Sequence, residues 1–480
     1  VRWMRVEFIG LMTIVLGAIL VFAPVRHSFT WMMLSTAFGA AAAIALPGMG
    51  GASILVPNLF LLFFVLRIFM AFGEGQIFAA VSPSRAGFIL LVLTVFGLFT
   101  ALFFPRLFQG MTETMIVERS VGLRNIISLV PLRASSSNIT QTVYAVGGLV
   151  AFASTFAFFR RAGAHDDLIK AVLVTATVTL SFALADVVTY FTRTEFLLGF
   201  VRTANYALLT AAEKGGLKRI SGTFPEASAF AGYTLVLFAI IASLWLEGVR
   251  GRAIGPLTWL LFIALLFSTS ATGLIGLAII VPVLFLRSFS RSPADRSRRP
   301  ALFIAGSLAA APLIVFLVLA TLPGLSAGVA GFFDEMLFSK VDSQSGQERA
   351  EWNAVAYKTF LDTFGFGAGL GSARASSFVL VLLSNIGVLG AFLFALFIWS
   401  VLSLKPAVGS SQPNECGAAI RAAKMGILAV LVTASTSGTV YDLGLMIYIL
   451  AGATTALTAP YPLRARASAS NTMSLLERRS

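Results

Sequence analysis

The chain predicts an all-α integral membrane protein, on three observations. Hydrophobic residues fill 58% of its 480 positions, charged residues only 12%, and the apolar residues form continuous runs rather than alternating ones. A soluble domain of this size has too little interior to hide that much apolar surface. Inside a bilayer every backbone N–H and C=O must be satisfied within the protein. A run of about 20 apolar residues therefore reads as a spanning helix, and the lack of alternation argues against barrel strands.

Taken in order, the runs fall at about 8–25, 29–47, 53–72, 86–105, 141–159, 169–191, 228–246, 254–269, 271–288, 301–322, 378–402, 423–439 and 442–459. They amount to roughly 12–14 transmembrane helices in one polytopic domain over 1–480. The first run lacks a cleavage signature and reads as an anchor. GMGG at 48–51 interrupts the pattern, so one segment between 29 and 72 is a candidate re-entrant element. No internal repeat of fixed period is evident.

The net charge of +14 is spread over alternate connections. Arg160, Arg161 and Lys170 flank one; Arg250 and Arg252 lie in the next. Arg287, Arg291, Arg296, Arg298 and Arg299 crowd a third connection, whose basic loop at 289–300 has an Arg, Ser and Pro content that predicts disorder. Lys405, Arg421 and Lys424 flank a fourth, and Arg464, Arg466, Arg478 and Arg479 mark a tail at 463–480. The positive-inside rule then predicts a cytoplasmic C-terminus and places 106–140, 192–227 and 323–377 on the outer side. Arg2 and Arg5 argue for an inside start, whereas thirteen spans ending inside would begin outside. Charge distributed this way predicts orientation in a membrane rather than a nucleic-acid partner. Cys416 is the sole cysteine and falls in an expected cytoplasmic loop, and His27 and His165 stand far apart. No intrachain disulfide, metal or cofactor is expected.

Two outer segments carry pattern. NYALLTAAEKGGLKRI, within 192–227, has helical periodicity with a charged side and predicts an interfacial helix. SGTFPEASAFAGY then re-enters the membrane, with Pro225 suited to a first helical turn and Glu226 to the positive helix end. The segment 323–377 is the long polar loop. Its SGQERAEWNAVAYKTFLDTF predicts a helix with Arg349, Trp352 and Ala356 on one face, stopping at Gly365. The following GFGAGLG lacks the preceding strand and the spacing of a dinucleotide fingerprint. Alternating glycines allow close backbone approach, and exposed amides can form an anion nest. A plain turn back into the membrane fits equally well.

At these residues the chain resembles the bacterial O-antigen ligase and polymerase superfamily of membrane glycosyltransferases. The resemblance rests on RISGTFPEASAFA at 219–231, LLFSTSATGLIGLAII at 265–280, ERAEWNAVAYKTFLDTFGFGAGLGS at 348–372 and LLSNIGVLGAFLF at 382–394. It implies a GT-C-like fold with a large periplasmic loop containing a helix. The implied substrate is an undecaprenyl-diphosphate-linked glycan at the outer face of the bacterial inner membrane. The implied transfer is metal-independent and releases undecaprenyl diphosphate, with a flippase and a chain-length regulator as partners beside membrane lipid. Ligases of this family carry a histidine after the glycine loop, where this chain reads SARASSFVLVLL. That departure favours a polysaccharide polymerase over a ligase acting on lipid A–core. A flippase or other transporter is the rival from another class, but such folds usually show internal repeats and broken-helix pairs.

A diphosphate leaving group without a metal calls for guanidinium, which is planar, permanently charged and bidentate toward phosphate. Arg349 is the candidate catalytic arginine. Arg219 and Arg374, with Lys218, Ser376, Gly367 and Gly369, are the candidate substrate-binding residues. Glu226 and Glu351 are candidate proton acceptors for an acceptor hydroxyl, and Glu226 also reads simply as a favourable helix-end charge. Asp186, inside an apolar run, is either functional or paired with a nearby arginine such as Arg193. Arg67 is suited to snorkelling to an interface.

Overall fold

The computed structural model describes residues 4–46, 52–118, 126–204, 208–211, 213–214, 217–249, 251–289, 302–303, 305–307, 344–405 and 414–459. The basic 289–300 loop (beyond Phe289), the 463–480 tail, GMGG, most of the expected 301–322 span and 323–343 lie outside them. The molecule is a helical bundle. Its helices are α1 (Phe8–Phe22), α2 (Val25–Ser35), α3 (Val56–Phe72), α4 (Glu74–Phe78), α5 (Ala86–Leu107), α6 (Ser136–Phe159), α7 (Ala164–Phe191), α8 (Ala227–Leu246), α9 (Ile254–Phe267), α10 (Ala271–Phe289), α11 (Gln344–Asp362), α12 (Phe378–Leu402), α13 (Asn414–Ser437) and α14 (Leu445–Thr458).

Among the described residues seven helices are long and apolar enough to cross a membrane: α5, α6, α7, α8, α10, α12 and α13. The pair Val56–Phe72 and Glu74–Val81, bent by 111°, makes an eighth if taken as one broken span. α1, α9 and α14 are apolar but shorter. The chain is thus a multi-pass helical membrane protein, with fewer full-length spans in the described residues than the sequence predicts. Part of the difference is local. The run at 29–47 divides into the 11-residue α2 and a strand, so it is not one span. Cys416 lies buried in the first turn of α13 rather than in a loop.

Strands, not expected from the sequence, occur before the first helix and between later ones. β1 (Arg5–Val6), β2 (Ala42–Leu46) and β3 (Ala52–Leu55) form an antiparallel sheet. β4 (Glu113–Glu118) pairs with β5 (Ile126–Pro131) from Glu113↔Pro131 to Glu118↔Ile126. These short runs are rich in β-branched residues, which favour a pleated, half-buried surface. β6 (Glu213–Lys214) and β7 (Leu217–Lys218) form a hairpin where an interfacial helix is expected. The Gly-Gly between them is a hairpin signal that overrides the helical periodicity.

Small residues let the helices approach closely, as membrane packing requires. Gly232 of α8 lies against Thr433 of α13, and Gly426 of α13 against Ile240 of α8. Gly148 of α6 faces the Tyr448 ring of α14. Phe29, Phe64, Phe158 and Phe159 stack and cross near α2, with Phe29 and Phe158 centroids 4.6 Å apart.

The connecting segments gather at one end of the bundle. Ala40 N donates to Thr223 O (2.8 Å) and Ala204 N to Ala40 O (3.0 Å). Thr359 Oγ1 donates to Glu113 O (3.0 Å), and Asn138 Nδ2 to Leu370 O (2.8 Å). The expected outer loops therefore share one face. Basic connections occupy the opposite end, where Arg160 Nη1 donates to Ala459 O (3.0 Å) and Arg421 Nε to Glu247 Oε2 (2.9 Å). β1 pairs with β2, so α1 begins at the loop-bearing end. Arg5 therefore lies at the loop-bearing end, in line with the span count rather than with an inside start; Arg2 lies outside the described residues.

Candidate functional site

The glycine loop follows α11 and packs into a break in α12. Gly387 (φ +64°, ψ −167°) interrupts that helix. Gly365, Gly367, Gly369 and Gly371 all have φ between +80° and +100°. A Cβ on Gly367 would lie 2.7 Å from the Asn385 carbonyl carbon, and one on Gly369 2.6 Å from Thr100 O. The glycines are required because backbone passes against backbone.

The loop amides are spent inside the protein. Gly367 N donates to Thr363 Oγ1 (3.1 Å) and Ala368 N to Ser384 O (2.8 Å). Gly369 N donates to Asn385 O (2.8 Å), and Gly371 N to Asn385 Oδ1 (2.9 Å). Gly367 and Gly369 therefore form a structural crossing, which corrects the anion-nest expectation. Ser384 O and Asn385 O are carbonyls freed by the break, and the loop satisfies them. Asn138 and Asn385 tie the loop to α6 and α12. For Asn385 the signal was an amide side chain within an apolar run; Asn138, after three serines in a polar segment, carried none.

α11 docks through Asn353, whose Oδ1 accepts from Ser376 N (2.8 Å) and Ser377 N (3.0 Å). Ser376 is buried. Ala356, also buried, continues the docking face, and Arg349 lies one turn before Asn353 on that same face. Glu351, two residues on, is turned away and exposed. Glu351, expected as a proton acceptor, stands apart from the docked face.

Arg219 enters from the segment between β7 and α8. It is partly buried, and its Nε is buried without a hydrogen-bond partner. Burial pulls its guanidinium below the ordinary range; Glu226 opposes the shift and Arg349 adds to it. Glu226 and Arg349 thus each lie within electrostatic reach of Arg219, although the chain separates Arg219 from Arg349 by more than a hundred residues. Glu226 is the N-cap residue of α8 and accepts from Ser228 Oγ. Pro225 precedes the helix instead of opening it.

Arg374 Nη2 donates to Thr439 Oγ1 (3.2 Å) just beyond α13. Gly232 faces Thr433 in the antiparallel α8–α13 pair. Thr439 follows the C-terminus of α13 and Glu226 precedes the N-terminus of α8, so Arg374 belongs to the same end of this antiparallel pair.

Lys218 is turned inward, its side chain 2% exposed. Its Nζ donates to Thr210 O and to Arg219 O (2.9 Å) and lies 3.5 Å from Asp186 Oδ2. Burial lowers its affinity for a proton, Asp186 raises it and Arg202 lowers it. This internal role corrects its expected place among substrate-binding groups. Asp186 pairs with Arg202 at 2.7 Å rather than with Arg193. Arg193 turns the chain at the end of α7 with φ +57°. Arg67 Nε donates to Ala23 O (2.9 Å).

At this end of the bundle the Arg219 guanidinium feels a second guanidinium, Arg349, as well as the Glu226 carboxylate. Such a cluster suits a polyanionic group that reaches the bilayer surface. Compared with known proteins, the chain matches no family model, no curated protein and no solved structure.

Proposed function

We propose that the chain is a membrane glycosyltransferase of the polysaccharide polymerase kind. It joins undecaprenyl-diphosphate-linked oligosaccharide repeats at the periplasmic face of a bacterial inner membrane. The observation that carries this reading is Arg219, whose Nε is buried and unbonded and whose guanidinium lies within electrostatic reach of both Arg349 and Glu226. A buried donor without a partner costs free energy, and a second guanidinium within reach adds repulsion. A diphosphate would relieve both.

In this reading the acceptor hydroxyl oxygen attacks the anomeric carbon of the donor sugar. The bond from that carbon to the diphosphate oxygen breaks, and its electron pair leaves with undecaprenyl diphosphate. Arg219 and Arg349 offset the charge that grows on the leaving group, and Arg374 supports them from the α13 side. Glu226 accepts the hydroxyl proton. A flippase would supply the lipid-linked repeat and a chain-length regulator would limit the product. The serines after the glycine loop, where ligases carry histidine, favour polymerisation over transfer to lipid A–core.

Deleting the gene should leave cells with single-repeat or no surface polymer, while lipid A–core still accepts other glycans. Purified protein given lipid-linked repeats should lengthen them, as read by gel or mass spectrometry. Transfer to lipid A–core with no lengthening would replace this reading with ligase. Lipid-linked glycan crossing a vesicle membrane unchanged would replace it with flippase.

The alternation of basic connections supports an outer location for the site. A dual reporter fused at Gly346 should be active only in the periplasm. Activity only in the cytoplasm would invert the orientation.

A further inference from the structure

Asp186 is 1% exposed in the penultimate turn of α7, close to the helix C-terminus at Phe191. A carboxylate there is opposed both by the negative end of the helix dipole and by an apolar surround. Local helix energetics therefore do not account for it. Its partners do. Oδ2 accepts from Ser221 N (2.8 Å), Gly222 N (3.0 Å) and Ser221 Oγ (3.2 Å). Oδ1 accepts from Arg202 Nη2 (2.7 Å), and Lys218 Nζ stands 3.5 Å from Oδ2. Arg202 in turn reaches Gly222 O through Nε (3.0 Å) and Nη2 (2.6 Å). Lys218 also holds Arg219 O (2.9 Å).

These interactions converge on one short stretch, 218–222, and none reaches another spanning helix. Arg219 lies within that stretch. It is gripped on one side by Lys218 and on the other by Ser221 and Gly222. Gly222 has φ +55°, so the stretch makes a turn that the carboxylate closes. Two backbone amides, a hydroxyl and the Arg202 guanidinium on one carboxylate, with the Lys218 ammonium 3.5 Å away, make a many-point anchor.

We infer that Asp186 is a positioning residue for Arg219: from within α7 its carboxylate fixes the 218–222 segment so that the Arg219 guanidinium faces Glu226 and Arg349. The inference rests on the diphosphate-binding reading of Arg219 for its functional consequence, and on geometry alone for the positioning. A displacement of about 1 Å at a reacting group can cost on the order of 10²-fold in rate. A carboxylate that touches no substrate can therefore matter greatly.

The test uses the full chain in detergent with Asp186→Asn, Arg219→Ala and the double variant. Arg202→Lys is the milder second variant, keeping the charge while losing the fork on Gly222 O. Hydrogen exchange of the 217–224 amides reads the positioning without any ligand. Binding of undecaprenyl diphosphate reads the consequence. Exchange over 217–224 should rise in Asp186→Asn and, less strongly, in Arg202→Lys, with the remaining spans protected as before. Asp186→Asn should weaken undecaprenyl diphosphate binding about 10-fold, yet weaken it no further in the Arg219→Ala background. A purely stabilising role would instead give additive losses in the two backgrounds, which would overturn the inference. Unchanged exchange over 217–224 in both Asp186→Asn and Arg202→Lys would overturn it as well. If the unsubstituted protein failed to bind undecaprenyl diphosphate, the functional reading would fall, and the exchange data would still decide the positioning.

Discussion

Arg349→Ala is expected to lose most of the polymer-forming rate, on the order of 10²–10³-fold by analogy with losing one donor to a developing oxyanion. The residue lies on the docked face of α11, within electrostatic reach of Arg219. Docking itself runs through Asn353 and the buried Ala356, so the fold should survive the change. Arg349→Lys should recover only part of the rate, because a compact point charge cannot replace a bidentate fork. Arg296→Ala, in the basic 289–300 segment, should be nearly silent. Polymer length and amount would be compared for the three variants at matched membrane expression. Full activity in Arg349→Ala would remove the residue from the site and weaken the diphosphate clamp.

Gly387→Ala is expected to have the largest effect on the fold. The backbone there adopts dihedrals that an L side chain rarely visits, a strain of roughly 1–3 kcal/mol. The added Cβ would also overlap the carbonyl oxygens of Gly365 and Phe366. Those atoms belong to backbone and cannot swing aside, so the glycine loop must leave its seat. Ser384 O and Asn385 O would then lose their amide partners within an apolar surround. The variant should show little monodisperse protein by fluorescence-detected gel filtration, and a markedly lower melting temperature in what remains. Gly75→Ala, where a Cβ meets nothing within 4 Å, should behave like the unsubstituted chain. Equal melting of Gly387→Ala and the unsubstituted chain would show that the break in α12 tolerates a side chain.

The spanning helices were legible because a bilayer forces long apolar runs to satisfy their own backbone, so hydrophobicity alone marks α5, α7, α8 and α12. α11 was legible from its periodicity, and its end from the glycines after Asp362. The pairing of Glu213–Lys214 with Leu217–Lys218 was not, since a two-residue strand leaves almost no pattern and the surrounding NYALLTAAEK favours helix. Arg219, Arg349 and Glu226 could be nominated by residue type and motif, but their proximity is tertiary. The register of α8 on α13 and the seating of α11 produce it. Arg202 escaped notice because nothing in RTANY announces a buried partner for Asp186. The glycine loop misled in an instructive way. Alternating glycines signal close approach, but they do not say whether a ligand or another stretch of backbone does the approaching.

The seating of that loop also sets an order for assembly. Its partners on α5 and α6, Thr100 and Asn138, are synthesised long before it; the bond from Asn138 to Leu370 spans 232 residues. Its partners on α12, Ser384 and Asn385, are synthesised after it. When residues 365–372 leave the ribosome, half of their seat is built and half does not yet exist. The loop closes only once α12 has arrived and broken at Gly387. That single event joins the first half of the chain to the last, so a nascent chain stopped before residue 384 holds two completed helices waiting for a keystone.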